Sequence, residues 1–158
     1  AFGLTYRIIT LDVPEGLPPE IREQEELKLR KAFDEAQQQI TAALWAEFQE
    51  IITHVAERLE SGADGKRKTF RDSTFGNLVE FMESMANRNV FSDARLSETV
   101  GKAKAIIDAI GGNAGEAADR LRNYDTLRAE AQKAFVQLKT QIETAIVDLP
   151  TRTFNFEE

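Results

Sequence analysis

The stretch PEIREQEELKLRKAFDEAQQQITAALWAEFQEIITHVAERLE, residues 19–60, decides the fold. Its apolar positions Leu29, Phe33, Ala36, Ile40, Leu44, Phe48, Ile51, Val55 and Leu59 recur every ~3.75 residues, close to a helical period and far from that of a strand. No Gly or Pro interrupts it, and Glu23, Glu25 and Glu26 sit in its first turns, where the helix dipole favours anions. At 1.5 Å per residue this predicts one helix roughly 60 Å long, which projects or bends if the chain is compact. Pro14, Gly16, Pro18 and Pro19 precede it, as expected of a turn that feeds a helix start.

Outward from that helix the pattern changes at both ends. Leu4-Thr5-Tyr6-Arg7-Ile8-Ile9-Thr10-Leu11-Asp12-Val13 alternates and is rich in β-branched and aromatic residues, which predicts a strand. Thr151-Arg152-Thr153-Phe154-Asn155-Phe156 alternates in the same way after Pro150. Between them, Phe70, Leu78, Phe81, Met82 and Met85 predict a helix over 70–85, and Asn87-Arg88-Asn89 ends it. Ser92 or Asp93 can cap a short turn, and Ser97 a third helix to Ile110. A last helix is expected over 116–149 on the line Leu121, Tyr124, Leu127, Ala131, Phe135, Leu138, Ile142, Ala145 and Leu149, whose mean step of ~3.5 residues is the heptad value. The expected fold is mainly α. It is one elongated domain over 1–158, a long antiparallel helical hairpin with short helices at one end and a small two-stranded antiparallel β-ribbon formed by the termini.

Composition excludes much chemistry. The chain has 158 residues, no Cys and one His, so disulfides, thiolate metal sites, Cys nucleophiles and His-rich metal centres are not available. No apolar run approaches the ~18 residues of a membrane span, so no membrane association is expected. The net charge of -7 opposes long-range attraction to nucleic acid. The exception is Lys66, Arg67, Lys68 and Arg71, grouped around Phe70. These four are the candidate phosphate or partner contacts, weighed against a solvated turn before a helix. His54 stands next to Val55 and within a turn of Glu50 and Arg58. Without a second nitrogen ligand it makes a poor transition-metal site. Gly111-Gly112-Asn113-Ala114-Gly115 precedes a helix but lacks the lysine of a phosphate loop, so a helix connection is the expected role. No catalytic residue, metal or cofactor is assigned.

A set of short motifs runs along the chain: Pro14-Glu15-Gly16-Leu17-Pro18, Leu44-Trp45, His54-Val55-Ala56-Glu57-Arg58-Leu59, Lys68-Thr69-Phe70-Arg71-Asp72-Ser73, Asn77-Leu78 and Asn89-Val90-Phe91-Ser92-Asp93. Together they resemble a domain-of-unknown-function family of bacteriophages and bacterial mobile elements. Its members are often encoded near a MoxR/CobS-type AAA+ ATPase and a CobT-like protein with a von Willebrand factor A domain. The resemblance spans residues 8–110, and Phe70-Arg71-Asp72-Ser73 with Asn77 is its most specific part. It implies the carboxy-terminal part, or a trimmed form, of a longer protein in the host bacterial cytoplasm. The expected function is non-enzymatic: assembly with itself or binding of a protein partner, as an adaptor or accessory to an AAA+ ATPase. Two alternatives stand beside it, a nucleic-acid-binding accessory protein using Lys66–Arg71 and an inhibitor of a host protein.

Overall fold

The computed structural model describes residues 16, 18–62 and 68–149. They form five α-helices and, among the described residues, no strand: α1 Pro19–Leu59, α2 Asp72–Arg88, α3 Ala94–Ile110, α4 Ala114–Asn123 and α5 Asp125–Val147. The mainly α reading holds. The terminal segments 4–13 and 151–156, and with them the β-ribbon, lie outside the described residues. The chain divides into two compact units, Ala1–Gln39 and Ile40–Glu158.

In the first unit, the Pro18 carbonyl accepts the N–H groups of Ile21 and Arg22 and so starts α1 with Pro19 at its first position. Proline lacks an N–H, and the first N–H groups of a helix have no intrahelical acceptor, so nothing is lost there. Leu27 on this part of the helix is 69% exposed.

The second unit holds the core. From residue 44 onward α1 buries Leu44, Trp45, Phe48, Ile52, Val55, Ala56 and Leu59, a face wide enough to take in Ile52 as well as part of Ile51. Phe48 stacks on Phe81 of α2 with ring centroids 5.2 Å apart. Phe75 meets Phe70 edge-on at 4.9 Å and Phe135 of α5 at 5.9 Å, which joins α2 to α5 through three rings. The main-chain carbonyls at Arg58 and Leu59 accept from Arg128 near the start of α5, while Trp45 shares a depression with Gln141, Thr144 and Ala145 near its end. Residues 45–59 of α1 therefore run antiparallel to α5, and α2, α3 and α4 complete one hydrophobic core with them.

Two helix boundaries differ from the sequence reading, for local reasons. The third helix starts at Ala94, not near Ser97, because Asp93 is the cap: its Oδ1 accepts the Leu96 N–H at 3.1 Å. Its Oδ2 accepts the Trp45 indole N–H at 2.8 Å, so one carboxylate fixes both the start of α3 and a core side chain of α1. Asn89 closes the preceding corner, accepting from the Asp93 N–H and donating to the Asp93 carbonyl and the Ser97 hydroxyl. The last helix is two helices. Tyr124 is extended (φ -122°, ψ 107°) and is at once the last flank of α4 and the first of α5. The break lets Ala117, Ala118 and Leu121 bury against α2 and α3 while α5 keeps its own buried line, and it leaves Tyr124 60% exposed.

Candidate functional site

Of the four basic residues singled out in the sequence, Lys66 and Arg67 lie outside the described residues. Lys68 and Arg71 are described. The Lys68 ammonium stands 3.5 Å from the Glu60 carboxylate, and its carbonyl accepts from Arg128. Arg71 is exposed, holds the extended position before α2, and forms no ion pair among the described residues. The ion pair at the start of α2 is made by an arginine of α4: Arg122 binds the Asp72 carboxylate, donates from Nε to the Phe70 carbonyl at 3.1 Å, and reaches Asp119 at 2.6 Å. The neighbouring carboxylate of Asp72 raises the pKa of that guanidinium, chiefly through the hydrogen bond it accepts.

Arg128 is the more unusual residue. It is 7% exposed, and its guanidinium donates to three backbone carbonyls: Leu59 at 3.2 Å, Arg58 at 2.7 Å and Lys68 at 3.1 Å. The first two belong to the last turn of α1, whose carbonyls have no intrahelical donors and which carries the negative end of the helix dipole. A single buried cation so caps α1 and ties the chain on both sides of the α1–α2 connection. Neither Arg122 nor Arg128 stood out in the sequence. Arg128 was legible in principle, because it occupies the phase of the buried line Ala131, Phe135, Leu138, Ile142, where a charged residue must have a specific partner.

His54 is exposed on α1 and faces a groove of about 560 Å³ between α1 and α2, lined also by Glu50, Ile51, Glu57, Thr74 and Asn77. A second depression continues it through Glu50, Ile51 and Asn77 to Glu80, Phe81 and Arg88. There Arg88 grips Glu47 in a two-pronged ion pair, with its guanidinium 5.5 Å over the Phe81 ring. The hydrogen bond from Arg88 holds the Glu47 carboxyl below its ordinary range, although partial desolvation acts the other way. Among the described residues no group of three His, Cys, Asp or Glu side chains is placed to hold a metal ion, and no helix is long and apolar enough to cross a membrane.

The glycine segment is a helix connection, as its sequence suggested. Gly111 and Gly112 both donate to the Ile107 carbonyl, and Asn113 caps α4 by accepting the Glu116 N–H at 2.9 Å. The N–H groups of Gly111, Gly112 and Glu116 are therefore engaged within the turn. Gly112 has φ +80°, which an L side chain rarely adopts, and a Cβ on Gly111 would stand 2.7 Å from the Ala117 nitrogen. Both glycines are explained by the tight turn alone. Comparison with protein-family models, with curated proteins and with solved structures finds no match to the chain.

Proposed function

We propose that this chain is a non-enzymatic helical protein that works by assembly or protein binding, as an adaptor or accessory of the kind encoded beside phage AAA+ ATPases. One observation carries the reading. Between Ile21 and Ile40, α1 leaves large apolar side chains in solvent: Ile21 at 46%, Leu27 at 69%, Phe33 at 48% and Ile40 at 41% exposure. Single exposed apolar residues are ordinary, but four within twenty residues of one helix, spread around its circumference at about 100° per residue, favour a helix that packs against further chain. The occupant in this reading is a second copy of the chain or a partner helix.

Sedimentation equilibrium of the full chain at micromolar concentration tests it. A mass above 17.8 kDa is expected, falling to the monomer value when Leu27 and Ile40 are both replaced by Glu. A clean monomer at high concentration removes the self-assembly reading. The nucleic-acid reading rests on the exposure of Arg71 beside Lys66 and Arg67. It expects single-stranded DNA binding that falls steeply with salt and is lost on replacing Lys66, Arg67 and Lys68 by Ala.

A further inference from the structure

The groove between α1 and α2 has features that neither packing nor the α1 surface accounts for. Its floor is apolar, with Ile51 packed against the core and Phe81 buried. Its α1 wall carries Glu50 and Glu57, two helical turns or ~10.5 Å apart, and its α2 wall carries Glu80. None of these three carboxylates forms an ion pair among the described residues. The cation in the lining, Arg88, is already committed to Glu47. Thr74 also lines the groove. It is 5% exposed, yet its hydroxyl makes no hydrogen bond to a described residue. Other buried or half-buried hydroxyls here, Thr99 and Ser84, bond to carbonyls of their own helices. The Thr74 hydroxyl, open toward the groove, offers a donor and an acceptor that a seated ligand can meet.

We propose that this groove docks a basic amphipathic helix of a partner protein. An apolar ridge seats on the half-buried Ile51, and a Lys or Arg pair at i and i+7 matches the Glu50–Glu57 spacing on the facing wall. Glu80 supplies the third contact from across the groove, and Thr74 bonds a polar atom at the seated edge. The charge is complementary in sign, and the three carboxylates have no internal cation to give up, so a cationic ligand is steered in without breaking an existing pair. The site is distinct from the exposed α1 series between Ile21 and Ile40, so a monomeric chain would remove the self-assembly reading and leave this one standing.

The test uses the full chain and a fluorescein-labelled synthetic peptide of about 18 residues, Leu/Ala/Arg with arginines at i and i+7, followed by fluorescence anisotropy. Saturable binding is expected at ~50 mM salt, weakening toward ~300 mM, and none to the peptide with Glu in place of Arg. Glu50→Gln with Glu57→Gln should weaken binding ~10-fold, about one factor of ten in Kd for the two lost charge contacts. Asp108→Asn with Glu130→Gln removes the same net charge elsewhere and should change Kd less than ~2-fold. Thr74→Val should weaken it by a few-fold with an unchanged urea midpoint. Equal weakening by both charge pairs, displacement by stoichiometric spermine, or a drop in sedimentation mass caused by Glu50→Gln with Glu57→Gln would each overturn the proposal. They would assign the effect to the general field, to a small polyamine, or to a second copy of the chain.

Discussion

Replacing Arg128 by Met tests whether the buried guanidinium is what closes the second unit. Met fills a similar volume but donates nothing. The carbonyls of Arg58, Leu59 and Lys68 then lose a donor at 2.7, 3.2 and 3.1 Å. A hydrogen bond to a charged group contributes about 1.5–3 kcal/mol, and a buried acceptor left unmet costs ~1–3 kcal/mol. These do not add, because water can reach part of the α1 terminus and because removing the cation also removes its desolvation cost, which is several kcal/mol for a buried ion. The helix-dipole interaction at the α1 C-terminus contributes up to ~2 kcal/mol more in a buried setting. The hydrogen bonds and dipole win if the clamp is as close as the distances show, and the net loss expected is about 3 kcal/mol. For a chain of this length that lowers the melting temperature by roughly 6–12 °C.

Trp45 is the one tryptophan and is 1% exposed in the same core, so its fluorescence reports unfolding of this unit in urea. The midpoint should fall with an unchanged slope. Arg128→Lys should recover only part of the loss, since one ammonium on a shorter head cannot span three carbonyls on two segments. A change below ~1 kcal/mol, or a Met variant more stable than the parent, would refute the reasoning and show that desolvation outweighs the clamp.

Three further outcomes follow from other contacts. Asp93→Ala should cost about 2–3 kcal/mol and shift Trp45 emission, because it removes the α3 cap and orphans the indole N–H together; urea titration and the emission maximum report both. Arg71→Ala should leave the urea midpoint within ~0.5 kcal/mol of the parent, whereas Arg122→Ala should lower it measurably, since Arg122 holds Phe70 and Asp72; equal losses would contradict this division. Glu47 has a depressed folded-state pKa, so the stability its pair contributes is fully present above the ordinary carboxylate value of 4.5 and is lost as pH falls through the lower folded value. With both partners about two-fifths exposed the effect is ~0–1 kcal/mol, read as a parent-minus-Glu47→Gln stability difference that vanishes in acid.

Helix existence was legible where periodicity is local. The 19–59 helix follows from an unbroken apolar period, and α2 and α3 from shorter ones. What was not legible is where tertiary contact overrides period. Tyr124 continues the heptad line of its neighbours, and nothing in its own side chain forbids a helix, but the core needs Leu121 and Ala131 on surfaces that one straight helix cannot serve. Asp93 was readable as a cap, yet its second oxygen is claimed by Trp45, 48 positions away, and sequence spacing carries no sign of that. The basic segment 66–71 drew attention because its charges are adjacent in sequence. Arg122 and Arg128, which anchor that segment's flanks, are dispersed among helical residues and become a unit only when α4 and α5 turn at Tyr124.

That arrangement bears on which partners the charge permits. Arg88, Arg122 and Arg128 bind carboxylates or main-chain carbonyls, and the Lys68 ammonium faces Glu60. These four bases are engaged by groups of the chain itself, Arg128 from a buried position and the others from half-exposed ones. Glu50, Glu57 and Glu80, in contrast, line an open groove with no cation of their own among the described residues. The groove therefore presents uncompensated negative charge, while Arg122 and Arg128 spend their guanidinium groups on main-chain carbonyls. A phosphate-bearing ligand approaching Arg71 moves against that field over a Debye length of about 8 Å, while a cationic helix approaching the groove moves with it. This difference in approach is why the proposed ligand of the groove is a basic helix rather than a nucleic acid.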